Sequence, residues 1–209
     1  MVEFIEVNKS FGKKKILNNV NFRISANSIN QIIAPQSSGK STILKMIYGA
    51  VKLDNGFIRV FDTSVSELKY SAVIFLRRYL GIIFEDIRLI KGLSVKDNLY
   101  IITKMTKRDL YFSDDVIEIL SISHLLDKYP YELSLSEQSL VNIARGVIFN
   151  FPLVLADEPL RYLSDEYKTK VLNLFKYLNK ERGITFLIAS QKNLDESFKV
   201  LDVNLNEKK

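Results

Sequence analysis

An α/β fold with a mostly parallel central sheet is the architecture this sequence predicts, and three observations carry it. Short apolar runs of strand length alternate with stretches of helical spacing along the chain. The 209 residues, 47% of them hydrophobic, suffice for one domain with a sizeable core. No internal repeat, low-complexity tract or long linker divides them, so residues 1–209 read as a single domain.

The N-terminal run Val2–Ile24 holds two strands of alternating pattern, with Lys13–Lys15 as a short basic run at the turn between them. Ile29–Ile33 (I-N-Q-I-I) is an apolar run suited to a buried strand, and Ser41–Tyr48 has helical spacing. Gly56–Phe61 adds a further strand. From Leu93 to Asn150 the spacing is largely helical, which predicts a helical subdomain over about residues 87–150. Leu153–Ala156 and Thr185–Ala189 then supply two more buried strands.

Composition narrows the function classes. Cysteine is absent, which excludes a disulfide framework, a thiol nucleophile and a Cys-based zinc site. No apolar run is long enough to span a bilayer and no signal-peptide pattern is present, so a cytoplasmic protein is expected. The net charge of +6 suits an anionic membrane surface as well as a lysine-rich solvated one. No recognition motif supports nucleic-acid binding, and no nucleic-acid partner is expected. His124, the only histidine, lies far from every motif and reads as a surface or packing residue.

The chemistry concentrates in two segments. Ala34–Thr42 reads A-P-Q-S-S-G-K-S-T between a predicted strand and a predicted helix, the context of a phosphate-binding P-loop. Unpaired backbone N–H groups across Ala34, Gln36, Ser37, Ser38, Gly39 and Thr42, together with the helix dipole, favour a polyphosphate. Lys40 is expected to meet the β- and γ-phosphates and the Ser41 hydroxyl to ligate Mg²⁺, which makes ATP and Mg²⁺ the expected ligands. Ala34 stands at the first glycine position and Ser37 where another glycine is common, so strain or slight reshaping of the loop is expected. The second segment, Leu153–Pro159 (L-V-L-A-D-E-P), is an apolar strand ending in two carboxylates. Asp157 fits metal coordination and Glu158 fits the base that orients an attacking water.

Between them, Tyr129–Arg145 (Y-P-Y-E-L-S-L-S-E-Q-S-L-V-N-I-A-R) resembles the signature region of ABC ATPases. Phe75–Asn98 (F-L-R-R-Y-L-G-I-I-F-E-D…) and Val7–Phe22 are similar to the corresponding stretches of FtsE-type ATPases of bacterial cell division. The resemblance runs through nearly the whole chain in order. It implies a P-loop NTPase core of the ABC type, with an antiparallel β-subdomain beside the helical one. It also implies an ATP-bound homodimer and an FtsX-like membrane partner, which would hold the chain on the inner face of the membrane. Related lipoprotein-release and export ATPases are the alternative within the family.

The same resemblance marks departures. Glu85 matches the Q-loop glutamine, which reports on metal and nucleotide; as a carboxylate it could ligate Mg²⁺ but adds negative charge. Gln191 matches the switch histidine and offers one neutral hydrogen bond in place of a proton carrier. Leu135 and Ser136 match the signature glycines, while Ser134 and Glu137 are kept, preserving the hydroxyl offered to a partner's phosphate. Ser164 takes the D-loop aspartate position, with Asp165 following. Phe11 matches the aromatic residue that stacks on adenine. A membrane partner's coupling segment would dock near Ile87, Leu89, Ile90, Leu99, Tyr100, Ile102 and Met105, whose spacing equally suits helical core. Nucleotide-holding groups are thus mostly kept and γ-phosphate-sensing groups mostly altered, which implies weakened hydrolysis or, at the limit, a structural adaptor without turnover.

Overall fold

The computed structural model describes residues 1–106, 114–203 and 205, apart from the side chains of residues 102 and 104–106. In chain order the elements begin β1 (Val2–Phe11), β2 (Lys14–Ile24), β3 (Ile29–Ile33) and α1 (Lys40–Ile47). Next come β4 (Asn55–Val60), β5 (Thr63–Ser64), α2 (Tyr70–Arg77) and β6 (Leu80–Ile83). The helices α3 (Val95–Thr106), α4 (Asp114–Leu120) and α5 (Leu135–Val147) follow. The chain closes with β7 (Leu153–Asp157), α6 (Asp165–Arg182), β8 (Thr185–Ser190) and β9 (Lys199–Val200).

These strands form two sheets. An antiparallel sheet has the order β2-β1-β4-β5, and a parallel sheet has the order β6-β7-β8-β3-β9. The short apolar runs are the reason the second sheet is parallel and central: β7 and β8 are buried on both faces, which only an α/β layering satisfies. Successive side chains point to opposite faces of a strand. Val154 and Ala156 of β7, with Phe186 and Ile188 of β8, therefore join one core with α5 and α6. Leu153 and Leu155, with Leu187 and Ala189, join a second core with α1 and the antiparallel sheet. Phe175 of α6 meets Phe186 with ring centroids 4.8 Å apart.

Local sequence sets the helix limits. Ser134 caps α5 by accepting the Glu137 N–H, and the Glu137 carboxylate accepts the Ser134 N–H in return. The close approach of α5 to β6 needs small residues, since a Cβ on Gly81 would lie 2.1 Å from the Gly146 carbonyl oxygen. Regular helix in the middle of the chain starts at Val95, two residues after Leu93, where helical spacing begins. The buried amide of Asn98 orders the stretch just before it. It accepts the Ile90 N–H at 2.7 Å and donates to the carbonyls of Ile90, Leu93 and Ser94, holding that stretch as an ordered loop.

Candidate nucleotide-binding site

The site lies where the parallel strands end. β3 runs into the loop Ala34–Ser38, and Ala34 donates its N–H to the Ser190 carbonyl at the end of β8 (3.2 Å). Gly39 then takes φ 111°, a geometry that suits glycine, and α1 starts at Lys40. A Cβ at Gly39 would fall 2.8 Å from Ile16 of β2, so hairpin and loop are packed against each other. Of the two lost glycines, only Ser37 is in the left-handed region (φ 62°); Ala34 is not. The expected strain thus falls on the serine alone, and alanine fits the first position without it. Gln36 and Ser37 are exposed, Ser41 and Thr42 partly buried, and Ser38 is buried with its Oγ lacking any hydrogen-bond partner.

Lys40 is 5% exposed. Its Nζ donates to the carbonyls of Ala34 (2.6 Å) and Pro35 (2.9 Å) and stands 3.6 Å from a Glu158 carboxylate oxygen. β7 delivers the two acids to this point. The Glu158 N–H donates to the Ala189 carbonyl (2.9 Å), the Gln191 N–H donates to its carboxylate, and its backbone takes φ 45°. Backbone in that region is strained for a non-glycine residue and is characteristic of functional positions.

Burial dominates the electrostatics of both acids. Desolvation pushes the Asp157 carboxyl above its ordinary range, opposed by a hydrogen bond from the Ser41 hydroxyl and the charges of Lys45 and Lys40. Desolvation likewise raises Glu158, opposed chiefly by Lys40. Asp157 Oδ1 is buried without a hydrogen-bond partner. An unpartnered carboxylate oxygen beside a serine hydroxyl is a hard-oxygen donor set that suits Mg²⁺, so these residues fit that ion. Ser41, Lys45, Tyr48, Glu85, Asp86 and Asp157 border one cavity of about 360 Å³. Glu158 and Gln191 border a neighbouring one of about 430 Å³.

The remaining expected residues are placed differently. Glu85 reaches the Asp157 cavity, but its carboxylate is ion-paired with Arg161. Phe11 is 51% exposed at the end of β1, with Lys9 Nζ 5.3 Å from its ring. Ser134 caps α5, and Leu135 beside it is 53% exposed. The Ser136 hydroxyl donates to the Tyr162 carbonyl (2.7 Å), tying this helix start to the loop after β7. Neither Phe11 nor Ser134 borders the two cavities at the acids. Ser164 stands at the N-cap position of α6 without a side-chain capping bond, and Asp165 opens the helix. His124 lies in an exposed turn of 3-10 helix.

Among the residues expected to receive a coupling segment, Leu99 is fully buried and Leu89 packs on the core, whereas Ile90 is 42% exposed. Ile87 and Tyr100 are half-buried, and the side chains of Ile102 and Met105 lie outside the described residues. Ile90 borders an open, largely apolar groove of about 490 Å³ with Ile74, Phe84, Ile101 and Phe151, rimmed by Arg77, Arg78, Arg88 and Arg145.

Two contributors escaped the sequence reading. Arg161 follows Glu158 by three residues, beyond the acidic motif; a carboxylate at position 85 was the signal that a cation should stand near. Gln31 sits in the apolar run of β3 yet is buried and polar. Its amide donates to Asn193 Oδ1 (2.5 Å) and accepts the Leu194 N–H (3.2 Å), so the loop after Gln191 is fastened to the strand that leads into the P-loop.

Known proteins show the same arrangement. The family model described as ABC transporter matches residues 17–161. The chain is 31% identical to the cell division ATP-binding protein FtsE of Haemophilus influenzae, an alignment covering 100% of this chain and 94% of that one. It is also 31% identical to the methionine import ATP-binding protein MetN of Clostridium tetani across 91% of its own length, but it spans only 61% of that relative. Among solved structures, the ATP-binding cassette MJ0796, determined as a dimer in a post-hydrolysis state bound to ADP and Pi, superposes with a TM-score of 0.83. That match has 27% identity and covers 92% of this chain and 88% of that one. With its P-loop, strand-end acids and two-sheet architecture, this chain belongs to the ABC transporter family as an ATP-binding cassette subunit.

Proposed function

We propose that the chain is an FtsE-like subunit that binds ATP with Mg²⁺, pairs as a homodimer and passes its nucleotide state to an FtsX-like membrane protein in cell division or wall remodelling. The observation that carries this reading is the convergence of Lys40, Ser41, Asp157 and Glu158 at one strand end, with a buried Asp157 oxygen left free. Lys40 and the N–H groups of Gln36 to Thr42 hold the phosphates, Ser38 lends its free hydroxyl, and Phe11 stacks on the adenine. Ser41 and Asp157 hold the metal, which when bound offsets phosphate charge and polarises the terminal phosphate. Glu158 orients water, Gln191 hydrogen-bonds the terminal phosphate, and Ser134 is offered to the nucleotide of the second copy. The FtsE relative is a cell division ATP-binding protein by name, and its alignment spans this whole chain.

None of the helices among the described residues is long and apolar enough to cross a membrane. With a net charge of +6 and an arginine-rimmed apolar groove, the chain suits a peripheral position on the inner face of a membrane, docked on its partner there. Hydrolysis is weakened in this reading, because Gln191 can neither take on charge nor transfer a proton and Leu135 projects from the signature position. A pseudo-ATPase adaptor without turnover is the second reading, favoured by the same exposed Leu135. Equilibrium binding of ATP in the presence of Mg²⁺ tests the first step. Wild type binds and Lys40→Ala does not; equal binding by both proteins sinks the proposal. ATP hydrolysis measured with the membrane partner then separates the two readings: turnover that disappears in Glu158→Gln excludes the adaptor.

A further inference from the structure

We propose that Arg161 is the residue of this site that distinguishes a nucleoside triphosphate from a diphosphate, and that the Glu85 carboxylate occupies its guanidinium until a terminal phosphate displaces it. The proposal rests on the nucleotide reading above and adds to it a cation that the sequence motifs do not include.

The pair stands at the junction of the two site cavities. Glu85 borders the one that contains Ser41 and Asp157, while Arg161 borders the one that contains Glu158 and Gln191. Arg161 is also fixed to the catalytic segment through its backbone, since its N–H donates to the Glu158 carbonyl at 3.1 Å. Its guanidinium lies against the Tyr162 ring, 5.7 Å from the centroid, on the residue whose carbonyl accepts the Ser136 hydroxyl.

A merely structural role accounts poorly for this placement. Both side chains are more than a third exposed, at 37% and 34%, and exposed ion pairs contribute little to stability. The chemistry points elsewhere. A guanidinium stays charged at every accessible pH and presents a planar fork that fits phosphate oxygens two at a time. A carboxylate carries one negative charge, whereas a terminal phosphate carries up to two and offers three acceptor oxygens. Arg161 can therefore exchange the Glu85 carboxylate for a terminal phosphate, and ADP, lacking that phosphate, leaves the pair as it stands. The exchange would also supply the positive charge that Gln191 cannot.

Titrating the full chain with fluorescent ADP and with a fluorescent non-hydrolysable ATP analogue, both with Mg²⁺, tests this. Arg161→Ala should lower affinity for the triphosphate by roughly tenfold or more, the worth of a charged hydrogen bond, and leave ADP within about twofold. Glu85→Gln frees the guanidinium, so the preference for triphosphate over diphosphate should rise by about threefold. Unchanged ADP binding doubles as the check that each variant is folded. Equal losses for both nucleotides in Arg161→Ala, or an unchanged triphosphate-to-diphosphate ratio, would overturn the assignment. So would a fall of that ratio in Glu85→Gln. If Lys40→Ala abolishes binding while Arg161→Ala leaves the ratio alone, only the role of Arg161 falls. If the wild-type chain binds neither nucleotide, the reading of the whole site falls with it.

Discussion

Lys40 is buried and Asp157 closes the buried strand β7, whereas Leu135 and Gln191 are exposed and Glu85 and Ser136 only partly buried. The first group keeps its expected chemistry and the second departs from it. Position explains part of this contrast. A change at the end of β7 alters a buried carboxylate whose ionisation is already disfavoured, so the fold feels it. A change at Leu135 or Gln191 alters an exposed side chain, where substitutions typically move stability by less than about 0.5 kcal/mol. Sensing groups can drift while the scaffold stays intact.

The contrast can be broken from the holding side first. Lys40→Ala removes the only buried cation beside Glu158 among the described residues and should take ATP binding below detection in a direct titration, a loss of at least about 10²-fold. A loss of less than threefold would mean that the strand-end groups no longer form a phosphate site. From the sensing side, Gln191→His restores a second hydrogen-bonding and proton-carrying form and should raise hydrolysis by about tenfold where turnover is measurable. No gain, with ATP binding unchanged, would place the block at Leu135 instead.

Two smaller effects concern stability. The Asp157 and Glu158 carboxyls are both raised by burial, so the folded chain holds protons that the unfolded chain has already released. Stability should therefore fall as pH rises from the ordinary carboxylate range through the raised values, and the penalty stays in full above them. Asp157→Asn removes its share of that penalty, so melting curves above that window should shift up by a few degrees. A shift that is the same at pH 4 as at pH 8 would contradict the cause given. Smallest is Ser37→Gly. Relief of left-handed strain is worth about 1–2 kcal/mol and the added freedom of glycine costs about 0.5–1, leaving a net gain of up to about 1.5 kcal/mol in a denaturant titration. Destabilisation would show that the loop is shaped around the serine.

Much of the fold was legible because its strands are short apolar runs bounded by motifs; Ile29–Ile33 matches β3 end to end. The ordered loop before α3 was not, because Asn98 fixes it through side-chain bonds that spacing does not encode. In the site, Lys40, Ser41, Asp157 and Glu158 were found by local pattern and the chain brings them together. Arg161 and Gln31 were missed for one reason: each acts on a partner far away in sequence, Glu85 and Asn193, and no local window contains both. Ala34 was read as a strained substitution, whereas its backbone is ordinary and the strain belongs to Ser37.

The last two carbonyls of β8 have a further consequence. Ala189 accepts the N–H of Glu158 and Ser190 accepts the N–H of Ala34, so one strand terminus clasps both halves of the site. Those two amide protons should exchange with solvent deuterium together, at the rate set by the opening of a single peptide edge. Their shared protection would then record, in one spectrum, whether the two halves part company or move as a unit.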